Sequence, residues 1–265
     1  MAFVYRMDDR NVGDHFCAPH LYFDFKPSLV RDIHDPGADY SGEKVVIVGG
    51  GGLGRKFFSR ALGRLSARPR PYALIAWGVG ADTVIDKTGK ALDPRGGYDL
   101  FSPYFDGFDE VGTRSWQPGM AHRWVPCASA MHGLLDRYRD RKPTRGIGYY
   151  QHKHSRFGEL RETHSVMTNN GNDIAQKLEF LSDHEYIVSN TYHGVYWATL
   201  LERKVLCVPF KSGLFSFRHK PVHVASMNVT EEELGRAAVH AGALEECRAA
   251  NVDYYHHIIN KYDVS

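Results

Sequence analysis

The sequence predicts an α/β protein made of two Rossmann-like lobes that face a cleft. Three observations predict it. Short apolar runs rich in β-branched residues, such as residues 44–48 and 72–77, read as strands buried on both faces, the pattern of a parallel sheet. These runs empty into glycines, Gly49 to Gly52 and Gly78-Val79-Gly80, as tight loops at strand ends require. The 265 residues exceed one minimal domain and suit two compact lobes of roughly 100 to 200 residues each.

Along the chain, a first short strand runs into the loop Asn11-Val12-Gly13-Asp14, and the strand over 44–48 follows. Residues 53–65 carry Leu53, Phe57, Phe58, Ala61, Leu62 and Leu65 at helical spacing, and Pro69 and Pro71 stop that helix. After the strand over 72–77, a third ends at Glu110-Val111-Gly112-Thr113-Arg114. The polar stretch 134–145 reads as a solvated linker and places the boundary near residue 143, giving lobes 1–143 and 144–265. The second lobe then shows a strand over 146–150, a His- and Arg-rich loop, a strand over 165–168 and a helix over 173–183 with Asn172 as its N-cap. A strand over 186–189, a helix carrying Val195, Trp197, Ala198, Leu200 and Leu201, and a strand over 204–208 complete it, and residues 231–262 read as two terminal helices.

Composition narrows the class. Apolar residues make up 43% and charged residues 24%, ordinary for a protein with a packed core, and no run reaches the roughly 18 apolar residues of a membrane span. The N-terminus lacks the basic and apolar stretches of a secretory signal, so a soluble, cytoplasmic protein is expected. Cys17, Cys127, Cys207 and Cys247 form no C-x-x-C pair and read as buried thiols. A formal charge of +2 is too small to point to nucleic acid. Asp106, Asp109 and the acidic residues near Glu159 do not cluster as metal ligands, so no metal is expected.

Two groups of residues carry a family likeness. The segment Ser189-Asn190-Thr191-Tyr192-His193-Gly194, leading into a helix and followed by Arg203-Lys204-Val205, is the first. The second is an ordered set: Asn11-Val12-Gly13-Asp14, Gly49 to Gly52, Gly78-Val79-Gly80, Val111-Gly112-Thr113-Arg114 and Pro126-Cys127-Ala128-Ser129. Together, over nearly the whole chain, they resemble the polysaccharide pyruvyltransferases. The resemblance implies the two-lobed GT-B-like architecture, phosphoenolpyruvate as donor substrate with no other cofactor, and as acceptor a sugar of a surface polysaccharide or its lipid-linked precursor. It implies work in the cytoplasm, at the inner face of the membrane where the acceptor is lipid-linked. One departure stands out: Thr191 occupies a position where some members carry arginine. A GT-B glycosyltransferase using a sugar nucleotide, and a non-catalytic member that binds saccharide or assembles with other biosynthetic proteins, are the competing readings.

Ketal transfer needs a proton delivered to the methylene carbon of the donor, stabilisation of positive charge on the next carbon, and deprotonation of the attacking hydroxyl. His193, between a strand and a helix start, is the first choice for moving that proton, against a role as a helix-start hydrogen-bonding group. Asp14 is the second, against a capping role. For the donor's phosphate and carboxylate the candidates are Arg114, His152, Lys153, Lys211 and Arg218, with His154 nearby and with Ser189, Asn190 and Gly194 of the helix-start turn, each basic side chain also readable as solvated surface. Asn11, Gly13, Gly50 and Gly51 are assigned to the acceptor side, the glycine loops lacking the G-x-G-x-x-G spacing of a dinucleotide site.

Overall fold

The computed structural model describes residues 1–80, 102–154, 164–210 and 212–264. In chain order it contains β1 (Ala2–Tyr5), α1 (Val12–His15), β2 (Leu29–Asp32), β3 (Val45–Gly49), α2 (Ser59–Ser66), β4 (Ala73–Val79), α3 (Ser102–Phe105), β5 (Glu110–Thr113) and β6 (Arg123–Trp124). There follow α4 (Leu134–Arg139), β7 (Arg145–Gln151), β8 (Ser165–Thr168), α5 (Ile174–Asp183), β9 (His184–Ser189), α6 (Tyr192–Leu200), β10 (Lys204–Cys207), β11 (Val222–His223), α7 (Glu231–Gly235) and α8 (Ala243–Tyr262). The strands form two sheets, one of six in the order β2-β1-β3-β4-β5-β6 and one of five in the order β11-β10-β9-β7-β8. Every pairing is parallel, as the glycine-terminated apolar runs predict.

Alternate residues of each strand serve opposite faces of its sheet. In the first sheet Val4, Val46, Val48, Leu74 and Ala76 pack on Ala61, Leu62 and Leu65 of α2. Phe3, Ile47, Ile75 and Trp77 point the other way, onto Tyr254 and Ile258 of α8. In the second sheet Tyr149, Val188 and Leu206 meet Leu234 of α7, while Tyr150, Ile187 and Val205 meet α5 and α6. Helix α6 is buried from His193 to Leu200, as its apolar circumference demands. The same cluster continues into Val12, Cys17 and Cys127, so the two sheets share one core through α6.

The structure revises two expectations and shows where the second terminal helix docks. The stretch 134–145 is not a solvated linker throughout, for α4 buries Leu135 and Tyr138 against the α5 and α6 cluster. Helix α5 is capped by Asp173, whose side chain accepts from the Gln176 amide, rather than by Asn172. The last helix, α8, spans both sheets: Ala243, Leu244 and Cys247 lie in the core beside α6, and Tyr254 and Ile258 on the first sheet. Polar bonds fix it there. Asn251 Oδ1 accepts from Trp77 Nε1 at 2.9 Å, its amide donates to Pro126 O at 3.3 Å and Cys247 O at 2.9 Å, and Tyr254 donates to Ala76 O at 3.1 Å.

Candidate functional site

The described residues line a cavity of about 140 Å³ that receives the C-terminal ends of strands from both sheets. Arg6, Asn11 and Asp14 follow β1; Gly52, Leu53 and Arg55 follow β3; Arg114 follows β5. From the second sheet come His152 after β7, Asn169 after β8, Asn190 to His193 after β9, and Phe210, Gly213 and Leu214 after β10. Ligands of parallel α/β sheets bind in just this place, outside the carboxyl ends of the strands.

Asp14 stands on the short turn α1. Its Oδ2 accepts from Asn11 Nδ2 at 2.7 Å, and Asn11 Oδ1 accepts from Asn169 Nδ2 at 3.2 Å, so a loop of each sheet helps to aim the carboxylate. Loss of solvent raises its pKa above the usual carboxylate value, a shift that the charges of Arg114, Arg55 and Arg6 oppose without cancelling.

Arg114 is buried, and its guanidinium lies 3.6 Å from the centre of the Tyr192 ring. Gly80 admits it: a Cβ there would stand 2.4 Å from Arg114 Nε. Its Nη1 has no hydrogen-bond partner among the described residues. Arg6 Nη1, by contrast, donates to Asp32 at 2.7 Å.

His193 is buried at the head of α6, where Thr191 acts as N-cap by accepting from the Gly194 amide at 2.9 Å. Its Nε2 lies 3.4 Å from Cys127 Sγ, its ring lies tilted at 4.9 Å from that of Trp197, and its Nδ1 is turned to Gly13. Burial first, and then the charge of Arg114, press its pKa well below the ordinary histidine value, so the imidazole is neutral at neutral pH.

No family model matches the sequence, and no curated protein matches it. Among solved structures it is similar to an uncharacterised protein of Klebsiella pneumoniae subsp. pneumoniae NTUH-K2044, at 19% identity over 78% of this chain and 83% of that one, with a TM-score of 0.46.

Of the residues singled out from the sequence, the cavity wall brings together Asn11, Asp14, Arg114, His152, Asn190 and His193. Gly13 backs the wall as the seat of the His193 ring. Others are engaged elsewhere. Lys153 donates to Arg10 O at 2.7 Å and pairs with Asp8 at 3.6 Å. Arg218 pairs with Glu246 at 2.5 Å and covers Trp116 and Trp124. Ser189 is fully buried and bonds within the turn to Thr191, and Gly194 gives its amide to the same threonine. Gly50 donates its amide to Trp77 O at 2.7 Å, and Gly51 accepts from the Gly80 amide at 2.9 Å, so this loop is stitched to the end of β4. Lys211 lies outside the described residues.

Arg6, Arg55, Asn169, Phe58 and Phe210 line the cavity without having been anticipated. The available signal was position, since Arg6 directly follows the first strand and Arg55 the glycine loop after β3. Asp109 is occupied by Arg68, Arg70 and the Leu74 amide. Among the described residues no group of three or more His, Cys, Asp or Glu side chains is placed to hold a metal ion, and no helix is long and apolar enough to cross a membrane.

Proposed function

We propose that the protein transfers the pyruvyl group of phosphoenolpyruvate, as a ketal, to a sugar of a surface polysaccharide or its lipid-linked precursor, in a cleft between lobes arranged as in GT-B enzymes. One observation carries the reading: a buried arginine, Arg114, whose Nη1 has no partner among the described residues, lines a cavity that also holds Arg6, Arg55 and a carboxyl with a raised pKa. A buried cation without an oxygen partner is costly, and an oxyanion relieves that cost through charge-assisted, bidentate bonds. Phosphoenolpyruvate offers two such groups, a carboxylate and a phosphate. Arg114 supplies the guanidinium that Thr191 does not, reaching the helix-start turn from the opposite sheet.

In this reading Asp14, not His193, holds the proton to be delivered, because its environment favours the protonated form while that of His193 favours the neutral ring. Asp14 protonates the methylene carbon, and a sugar hydroxyl attacks the adjacent carbon and returns its proton to Asp14. A second hydroxyl then displaces phosphate, and its proton leaves with the phosphate. The catalyst is thereby restored, and the arginines hold the anionic groups throughout. The protein works on the cytoplasmic side, at the membrane face when its acceptor is lipid-linked.

The test is phosphate release from phosphoenolpyruvate in the presence of oligosaccharide acceptors, run beside a panel of sugar nucleotides. Acceptor-dependent phosphate release, lost in folded Arg114→Met, supports the assignment. Turnover of a sugar nucleotide with none of phosphoenolpyruvate overturns it in favour of glycosyl transfer.

A further inference from the structure

Behind His193, on the side away from the cleft, the described residues form a chain of polar contacts that the proposed chemistry does not use. It begins at an indole, which can only donate. Trp197 Nε1 gives its hydrogen to Ser129 Oγ at 3.0 Å. The Ser129 hydroxyl then directs its own hydrogen to Cys127 Sγ at 3.2 Å, and the Ser129 backbone N–H also points at that sulfur. Both donations go to the sulfur as acceptor, which leaves the thiol its own hydrogen to give. Among the described residues its other hydrogen-bonding contact is His193 Nε2, at 3.4 Å. Cys127 is fully buried, so water does not compete, and Tyr196 fixes the backbone by donating to Cys127 O at 3.0 Å.

A nitrogen that accepts from a thiol carries no hydrogen, and in a neutral imidazole the hydrogen then sits on the other nitrogen. We infer that Cys127 and Ser129 are positioning residues that hold His193 as its Nδ1–H tautomer, so that the ring meets the cleft as a hydrogen-bond donor. Nδ1 is the atom turned to Gly13, between the cavity-lining Asn11 and Asp14. In that state His193 donates to a negative oxygen of a bound ligand and cannot take a proton from a hydroxyl, which leaves proton transfer to Asp14. Burial keeps the ring neutral at physiological pH, so the tautomer persists.

The role in catalysis rests on the cleft being the site proposed above, but the tautomer is a property of the resting protein and is measurable without any substrate. The experiment is long-range 1H–15N correlation of protein labelled at histidine nitrogens, with the His193 signals identified by their loss in His193→Gln. Wild type is expected to show a protonated Nδ1 and a bare Nε2. Cys127→Ser, whose hydroxyl still donates, is expected to keep that pattern. Cys127→Ala is expected to lose it, with Nε2 gaining proton character. Ser129→Ala, a second variant that spares the sulfur, is expected to weaken the preference in the same direction. A protonated Nε2 in the wild type, or an unchanged pattern in folded Cys127→Ala, overturns the inference. A wrong donor assignment leaves all of these spectra as they are and shows itself only in the turnover assays.

Discussion

Gly13 lies on α1 after the first sheet's β1 and His193 on α6 after the second sheet's β9, yet a Cβ at residue 13 would stand 2.0 Å from Nδ1 of the histidine. No side chain but hydrogen fits there while the ring keeps its place, so Gly13→Ala must displace His193 or the α1 turn. The expected cost is about 1 to 3 kcal/mol, the range for overpacking a well-filled core, with turnover reduced beyond what the stability loss explains. Urea denaturation beside a turnover assay checks this. Wild-type stability would mean that the ring moves at no cost.

Arg114 should decide donor affinity. Removing a charged hydrogen-bonding group costs about 1.5 to 3 kcal/mol, so Arg114→Met is expected to weaken phosphoenolpyruvate binding roughly 10- to 100-fold. Arg114→Lys is expected to recover little, because an ammonium lacks the planar fork and stacks less well on Tyr192. Calorimetric titration reads both, and unchanged affinity in Arg114→Met removes the residue from the donor site.

For Asp14 the expectation is in turnover. Asp14→Asn keeps the bond geometry to Asn11 but carries no acidic proton, so the maximal rate should fall by roughly 10²- to 10⁴-fold with donor binding retained. In the wild type the competent form is the protonated one. Since the pKa is raised, the rate should decline as pH climbs through that value, and a rate that instead rises over the same span contradicts the acid role.

Stability should fall on mild acidification. His20, His132, His184, His193, His219 and His223 all have pKa values lowered chiefly by burial. Below the unfolded value of about 6.5 the unfolded chain binds protons that the folded chain refuses, so stability present above that pH is lost as pH falls toward the depressed folded values. Thermal melts from neutral to mildly acidic pH are expected to show a declining midpoint, and a flat profile would contradict the shifts.

Asn251→Ala tests the docking of α8. It strips Trp77 Nε1 and Pro126 O of buried partners, which is expected to cost roughly 1 to 3 kcal/mol. A urea midpoint equal to that of wild type would show that the indole finds another acceptor.

Buried parallel strands announce themselves as unbroken apolar runs, and β3, β4, β9 and β10 lie where those runs stand. The edge strand β2, half-buried except at the exposed Arg31, and the two-residue β6 and β11 carry no such signal. Helix α4 was hidden by its charge: Asp136, Arg137 and Arg139 in a six-residue helix mask the buried Leu135 and Tyr138. At the site, Asp14, Arg114 and His193 were legible because each sits in a recognisable local turn. Arg6, Arg55 and Asn169 were not, since their convergence depends on two sheets pointing their strand ends at one another. The glycine loops, readable from the sequence as acceptor-side or structural, have a structural part at two positions. Gly13 and Gly80 clear space for side chains of the site, where the sequence alone makes such loops look like seats for a ligand.

Helix α8 has a bearing on how the chain is made. The face of the first sheet that carries Phe3, Ile47, Ile75 and Trp77 is covered in part by Phe25, Val125 and Ala128 and completed by Tyr254 and Ile258, which leave the ribosome after the whole second sheet. During synthesis that apolar face stays partly open until the final helix emerges, so the early half of the polypeptide cannot reach its finished packing by itself. Premature termination between β11 and α8 should therefore yield a product that clumps or engages chaperones, even though all eleven described strands have already been translated.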